Sequence, residues 1–489
     1  MAKMNVLIDT NIIIPLEDAG RELDSRLAEV KRLSADQGID LRIHPIQKID
    51  IQRDRNENRK SIILSRLEQY NLVPNPPHWT ETEAKEAGEL ATSTSENDYV
   101  DDVLLYTVQR DAVHLLLTED RRIHRKAVRL GLQDRIYYID SFLTFLRDQQ
   151  KIQKHTPPLG IKSGFVHEFN VKNVFFDSLR EGYPEFNNWF QKVARENREC
   201  WFVGTQDQIR ALTIRKIEEN ETITKVGKNL PGRALKLCTF KVDLRGHKLG
   251  ERLFYTAFQF AVQKSLDWVY LTLDGEAQKD LGTLCEDFGF KSLGENINGR
   301  DEVWCKNMRP PNDDSELSNI EYAIMYYPFY KKENCSKWLV PIQPKYHEML
   351  FPDVSAKRNR FPEFRDDPNE YGSYANTIKK AYLCHANVKS IKVGDLIYFY
   401  RSQDRKSVQS VGIVDYCFRS SDSQEILAKI AKRTVYSQSE ISDIAQKNTL
   451  VILFRLLEYI TPPIDARTLL KNGINGPIQS IREIERALS

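Results

Sequence analysis

Six aspartates in the first 120 residues stand at positions where backbone geometry can bring carboxylates together. Asp9 closes the apolar run of VLIDTNIIIP, with Thr10 and Asn11 beside it. Asp120 follows HLLLTED, while Asp101 and Asp102 open the apolar helical segment VLLYTVQR. Asp50 follows LRIHP and Asp54 comes four residues later, so on a helix the two share a face. If the apolar runs are strands of a parallel sheet, their carboxyl ends open on the ligand crevice and the acids converge there. Converging carboxylates repel one another, and divalent cations are what chiefly makes such a cluster tolerable. Oxygen ligands with no His or Cys among them favour Mg2+ or Mn2+ over zinc. Cations so held position a water, assist its deprotonation and neutralise charge on a phosphodiester during hydrolysis. Singly, each acid reads equally well as a helix cap; the case for a metal site is that they recur at element junctions of one region.

Past Asp120, the residues Arg121, Arg122, His124, Arg125, Lys126 and Arg129 make a basic helix. It reads either as a solvated face or as a holder of nucleic-acid phosphates beside the acids. A second constellation begins at Leu235–Val242, a strand, and continues through LRGHKLGERLF into an amphipathic helix. Arg245, Gly246 and Gly250 sit at that turn, where backbone N–H groups at a helix N-terminus can cradle a pyrophosphate. A plain strand-to-helix connection is the bland alternative. Further on, IKVGDLIYFYRS reads as a strand entered by a Val-Gly-Asp turn and paired with SVQSVGIVDY. Trp338, Tyr346, His347, Tyr374, Lys379, Lys380 and Arg401 around it are candidates for base stacking and phosphate contact.

These groups need separate scaffolds. A chain of 489 residues predicts about two to four domains. Two breaker-rich stretches without apolar period, Lys151–Gly164 and Met308–Asn319, read as linkers. The first region alternates strands (Asn5–Ile8, Leu41–His44, His114–Thr118, Arg135–Ile139) with helices (Ala19–Gln37, Glu57–Gln69, Val103–Arg110, Arg122–Leu130), the pattern of an α/β layer. Hydrophobic residues at 41% suffice for packed cores and exclude wholesale disorder. No apolar run of about 18 residues is present to span a bilayer. Seven scattered cysteines, with no C-x-x-C pair, fit reduced thiols and a cytoplasmic setting better than disulfides or structural zinc. The net charge of +2 is uneven: 21 Lys and Arg against 26 Asp and Glu give −5 over 1–150, and 151–310 and 311–489 carry +4 and +3. The later regions therefore tolerate a polyanion better than the first.

With its spacing of acids, VLIDTNIII, the segment DVLLYTVQRDAVHLLLTED and the helix RRIHRKAV resemble a PIN domain, a metal-dependent ribonuclease fold. The resemblance implies a parallel-sheet domain over 1–150 with catalytic, metal-binding Asp9, Asp50, Asp102 and Asp120, Asp50 filling the place of the family's usual Glu. Asp54 and Asp101 remain alternatives for that second position, and Asn11 and Thr118 match the family's supporting polar residues. Strand, R-x-x-G turn and helix over 165–308 resemble a GNAT acyltransferase domain, an α+β fold. That implies acetyl-CoA bound at Val242, Arg245, Gly246, Lys248 and Gly250, with Lys248 in place of the usual middle glycine and Cys285 where a general-acid tyrosine often stands. The motif G-D-x-I-x-F-Y resembles the PUA-like ASCH and EVE modules, so 320–489 is expected to be a small RNA-binding β-barrel with a helical tail.

The leading expectation is a multidomain α/β protein whose first domain is an Mg2+- or Mn2+-dependent endoribonuclease leaving a 5′-phosphate and a 3′-hydroxyl. RNA, possibly tRNA in kind, is its expected partner, with a homo-oligomer, an inhibitor or antitoxin protein and a toxin or phage-defence role following from family analogy. A second reading is an acyl-CoA-dependent N-acyltransferase acting on tRNA or protein over a silent PIN scaffold. A third is a protein that only recognises RNA.

Overall fold

The apolar run Asn5–Ile8 becomes strand β1, with Val6, Leu7 and Ile8 sealed from solvent. The computed structural model of the chain describes residues 3–18, 20, 22–53, 56–77, 96–150, 160–243, 248–274, 278–311, 316–351, 377–475, 477–485 and 488. They form a multidomain α/β structure with three sheets in two compact units. One unit comprises Met1–Lys154, Ser420–Lys432 and Tyr436–Thr449; the other comprises the remainder.

In the first unit β1, β2 (Asp40–Ile43), β3 (Asn71–Leu72), β4 (Leu115–Leu117) and β5 (Ile136–Tyr137) pair in parallel in the order β3-β2-β1-β4-β5. Parallel neighbours require crossovers, and helices supply them. These are α1 (Thr10–Glu17), α2 (Ser25–Asp36), α3 (Gln47–Gln52), α4 (Glu57–Leu67), α5 (Glu96–Gln109) and α6 (Arg121–Arg129), with α7 (Ile139–Gln150) following β5. The chain steps outward from β1 to β3 and then returns to the other side of β1 for β4. Strand order therefore reverses between β1 and β4, and a crevice lies beyond the carboxyl ends of that pair.

The expected alternation of strands and helices holds here, with shifted bounds. The helix expected from Ala19 starts at Ser25, where Asp24 accepts from the Arg26 backbone N–H, and that expected from Val103 starts at Glu96. α3 ends at Gln52, and Asp54 lies outside the described residues. Helices α14 (Ser423–Ile430) and α15 (Gln438–Ile444), from far along the chain, complete this unit. Lys432 Nζ donates to the carbonyls of Gln133 and Ile136 at 3.0 Å, and Lys429 Nζ lies 3.1 Å from Asp111.

The second unit holds two sheets. In the first, β6 (Ile161–Phe165), β7 (Glu199–Gly204), β8 (Ile209–Glu219), β9 (Arg233–Val242), β10 (Trp268–Leu273), β11 (Lys291–Glu295) and β12 (Glu302–Asn307) take the order β11-β12-β10-β9-β8-β7-β6. Only β9 and β10 pair in parallel; the other pairs are antiparallel. β6 lies inside the stretch expected to be a linker, because its alternate residues pair along β7 as an edge strand. Period-two alternation gives this sheet two apolar faces. Leu235, Leu237 and Leu271 pack under Leu253, Phe254 and Phe258 of α10 (Leu249–Gln263), while Phe202, Leu212 and Ile214 pack with Phe175, Phe176 and the helix α9 (Phe186–Arg195).

In the other sheet, β13 (Lys337–Ile342), β14 (Lys379–Cys384), β15 (Leu396–Arg401), β16 (Ser407–Ser420), β17 (Thr449–Asp465) and β18 (Arg482–Ile484) take the order β14-β17-β16-β15-β13-β18. The expected pairing of IYFYRS with SVQSVGIV is present, entered through Gly394 at φ +87°. Among the described residues β14 and β18 end the order, so no ring of pairings closes the expected barrel.

Buried ions join these two sheets. Asp287, at the end of α11 (Lys279–Asp287), accepts from Lys379 Nζ of β14 and, at 2.9 Å, from Arg455 NH2 of β17. Arg455 Nε reaches Asp415 at 3.0 Å, and Arg433 reaches the other Asp415 oxygen at 2.6 Å. The Glu251 carboxylate of α10 accepts from the Lys379 backbone N–H at 2.7 Å. Lys379 and Arg455 are therefore structural cations, and Lys379 is not available for the phosphate contact expected of it. No helix among the described residues is long and apolar enough to cross a membrane.

Removing one partner from such a network strands the others in a low dielectric. Asp287→Ala is expected to destabilise the second unit by about 3–5 kcal/mol in urea unfolding. A loss below about 1 kcal/mol, the level of an exposed pair, would show that the joint does not depend on it.

Candidate functional site

The reversal of strand order places Asp9, directly after β1, next to Thr118–Asp120, directly after β4. Asp9 caps α1: its Oδ1 accepts from the Thr10 backbone N–H at 2.5 Å. Its Oδ2 accepts from Asn11 Nδ2 at 2.7 Å and from Thr118 Oγ1 at 2.6 Å. The same Thr118 hydroxyl accepts from the Asp120 backbone N–H at 3.0 Å, which ties the two strand ends together. Asp120 in turn caps α6 by accepting from the Arg122 N–H. Asp50, on α3 after β2, accepts from Thr10 Oγ1 at 3.4 Å and pairs with Arg53 at 3.3 Å.

Burial drives the electrostatics. Asp9 is 4% exposed, and desolvation pushes its carboxyl up to about 6 despite its hydrogen bonds, with Asp120 and Asp50 adding repulsion. Asp101 goes further, to about 8: burial comes first, then the charges of Asp9 and Asp120, offset by Lys126. Burial also raises Asp50. The acids that act on one another are thus Asp9, Asp50, Asp101 and Asp120.

Asp102, expected as the third acid, is fully buried and engaged differently. Lys126 Nζ of α6 lies 2.5 Å from its Oδ1, so a cation of the chain's own answers it. Asp101, expected only as an alternative for the second position, is the one of the pair that Asp9 and Asp120 raise. Lys126 is correspondingly withdrawn from the basic face expected to meet phosphates. His124 is withdrawn too, since it is buried, stacks on Tyr138 at 3.5 Å and meets the Thr118 carbonyl at 3.1 Å. Arg122 and Arg129 remain exposed on that helix.

As a donor set, four carboxylates with mutual repulsion suit a hard divalent cation. As placed, no three of the described His, Cys, Asp or Glu residues stand close enough together to hold one.

At the second constellation, Arg245 and Gly246 lie outside the described residues. Lys248 precedes α10 at φ +52°, ψ +28°, the left-handed conformation that favours glycine. Gly250 follows in the first turn, where a Cβ would meet Leu284 Cδ2 at 2.9 Å. Val242 ends β9. Parallel pairing of β9 with β10 stops at Leu237 opposite Leu271, yet β9 runs on to Val242 along β8. A bulge falls at Cys238, between Leu237 and Thr239, and bulges bend the strand that carries them. Beyond Leu237, therefore, β9 no longer pairs with β10. Cys285 is not a proton donor there: it is fully buried in the core and burial pushes its thiol well up.

On the third sheet Trp338, Lys380 and Arg401 are buried, as is His347 on the helix Pro344–Leu350; Tyr346 is half-buried and Tyr374 lies outside the described residues. Trp338 donates to Asp395 at 2.9 Å, and Arg401 pairs with Asp404 and Glu348. They hold the fold together and do not form an exposed RNA platform.

The raised acids carry a linkage consequence. Between about pH 4 and about pH 8 the native unit keeps protons on Asp9 and Asp101 that the unfolded chain has released, so stability falls as pH rises through that window. Asp101→Asn removes the larger contribution. By calorimetry the variant is expected to melt above wild type at about pH 8, with the difference closing toward about pH 4. A difference that stays constant with pH would mean a packing effect.

No family model and no curated protein sequence matches the chain. Among solved structures, it is similar to ASCH from Zymomonas mobilis at 14% identity and a TM-score of 0.23, over 30% of this chain and 87% of that one. It is similar to a putative acetyltransferase from Staphylococcus aureus Mu50 at 13% identity and a TM-score of 0.23, over 30% and 99%. A GNAT family acetyltransferase from Elizabethkingia anophelis, with acetyl-CoA bound, matches at 11% identity and a TM-score of 0.21, over 30% and 98%.

Proposed function

We propose that the first unit is a metal-dependent ribonuclease that hydrolyses RNA phosphodiester bonds at Asp9, Asp50, Asp101 and Asp120. The observation that carries this reading is the position of Asp9 and Asp120 at the carboxyl ends of adjacent parallel strands, where strand order reverses. Buried carboxylates that raise one another are costly in a resting fold, and that cost is answered when Mg2+ or Mn2+ binds. Such a cation supplies charge neutralisation at the phosphate and a more acidic water. The chain's own part is positioning. Thr118 and Asn11 fix both free directions of Asp9 Oδ2, so one ligand is preorganised while the others adjust. Exposed Arg122, in the first turn of the helix that Asp120 caps, would meet a flanking phosphate.

A second reading concerns the place where β9 and β10 part. Beyond Leu237, β9 presents backbone groups on its β10 side that no described strand pairs, and such groups can take an extended amide-bearing ligand. Acyl-CoA has that shape, with its pyrophosphate at the turn through Lys248 and Gly250. In this reading the second unit binds acyl-CoA and either transfers the acyl group or reports its level.

The test is cleavage of total RNA by the full chain in Mg2+ or Mn2+, against Asp9→Asn and Asp120→Asn, with acetyl-CoA present or absent. The expected result is metal-dependent cleavage reduced at least about 100-fold in both variants. No cleavage with either metal, alongside calorimetric binding of acetyl-CoA, would shift the function to the second unit.

A further inference from the structure

Beside the acids, α3 and the start of α5 leave a groove between them of about 370 Å3, lined by Ile49, Gln52, Arg53, Tyr99 and Val100. That volume falls within the ~300–1,000 Å3 of small-ligand clefts. Two of its large apolar side chains stay in solvent contact: Ile49 is 39% exposed and Tyr99 37%. Neither is needed to shield the sheet, whose central strands are already sealed. The groove and the acids share the same two helices, since Ile49 precedes Asp50 on α3 and Val100 precedes Asp101 on α5. Its rim carries Arg53, whose guanidinium lies 3.3 Å from Asp50, and Gln52, with an amide able both to donate and to accept.

We propose that this groove is a nucleobase subsite: it takes the base of the nucleotide next to the phosphate held at the acids, stacked on Tyr99, with Gln52 at the base edge. This rests on the ribonuclease reading for its register but makes a separate claim. An aromatic face flanked by an aliphatic side chain suits a flat, neutral heterocycle, and stacking is sequence-tolerant because every base has a π-face. Arg53 adds a cation beside the stacking face, on the side of the groove where it meets Asp50. With Gln52 the one amide among the described lining residues, the subsite would grade bases by their hydrogen-bonding edge, so a preference at a single nucleotide position is expected.

The experiment is a double-mutant cycle on the full chain with four-nucleotide single-stranded RNAs, intact or abasic at one position. Binding is measured by fluorescence anisotropy in Ca2+, and cleavage is scored separately in Mn2+. Tyr99→Ala is expected to weaken binding of the intact RNA about ten-fold, and Tyr99→Phe to restore it. Removing the base should cost wild type the same factor at one position and cost Tyr99→Ala nothing there. Additive losses at every position, or no binding of any tetranucleotide, overturn the subsite. Coupling at Tyr99 without cleavage keeps the subsite and defeats the nuclease. Cleavage with additive losses does the reverse.

Discussion

One hydroxyl group holds the candidate active site in register. Thr118 Oγ1 donates to Asp9 and accepts from the backbone N–H of Asp120, and Asn11 reinforces it by donating to Asp9 and Thr118 and accepting from the Glu119 N–H, so the ends of β1 and β4 are fastened to each other. This matters because the buried Asp9 carboxylate has lost water on nearly all sides, and its remaining stabilisation comes from Thr10, Asn11 and Thr118. With those donors in place, Asp9 is a rigid reference point. The other acids can then be raised in energy by proximity without the strand ends parting.

The same economy appears in the second unit on a larger scale. Asp287 and Asp415 are buried carboxylates, and each is answered by two cations: Lys379 and Arg455 for the first, Arg433 and Arg455 for the second. Arg455 is shared, which makes it the pivot between α11 and β17. Buried pairs of this kind add little net stability against an apolar replacement, but they are intolerant of a missing partner and so define one arrangement of the two sheets. The contrast with the first unit is chemical. There the acids outnumber the cations, Lys126 being committed to Asp102, and that imbalance separates a candidate ligand site from a structural joint.

Legibility in the sequence followed how local each signal was. The strand β1 and its cap Asp9, the helix cap Asp120 and the pairing of β15 with β16 all depend on neighbours a few residues away, and each was readable. That Asp9 and Asp120 raise Asp101 while Lys126 meets Asp102 was not. Adjacent residues on a helix point about 100° apart, and which of them meets the crevice depends on how α5 rolls against β4 and α6. Lys379 carried a plausible surface chemistry in sequence, yet its carboxylate partner Asp287 lies 92 residues away.

By itself the sequence determined that acids close apolar strands in the first region, that a glycine-containing turn leads β9 into a helix, and that the cysteines form no paired framework. Those properties are written in residue type and short spacing, which fix local backbone shape. Tertiary structure alone decided which strands became neighbours, and with that where the order reverses, which acids feel one another, where β9 and β10 part and which cations are consumed as internal partners. The reason is that electrostatic coupling and burial depend on distance in space, and in a parallel sheet each neighbour is reached only through a crossover that no local pattern encodes.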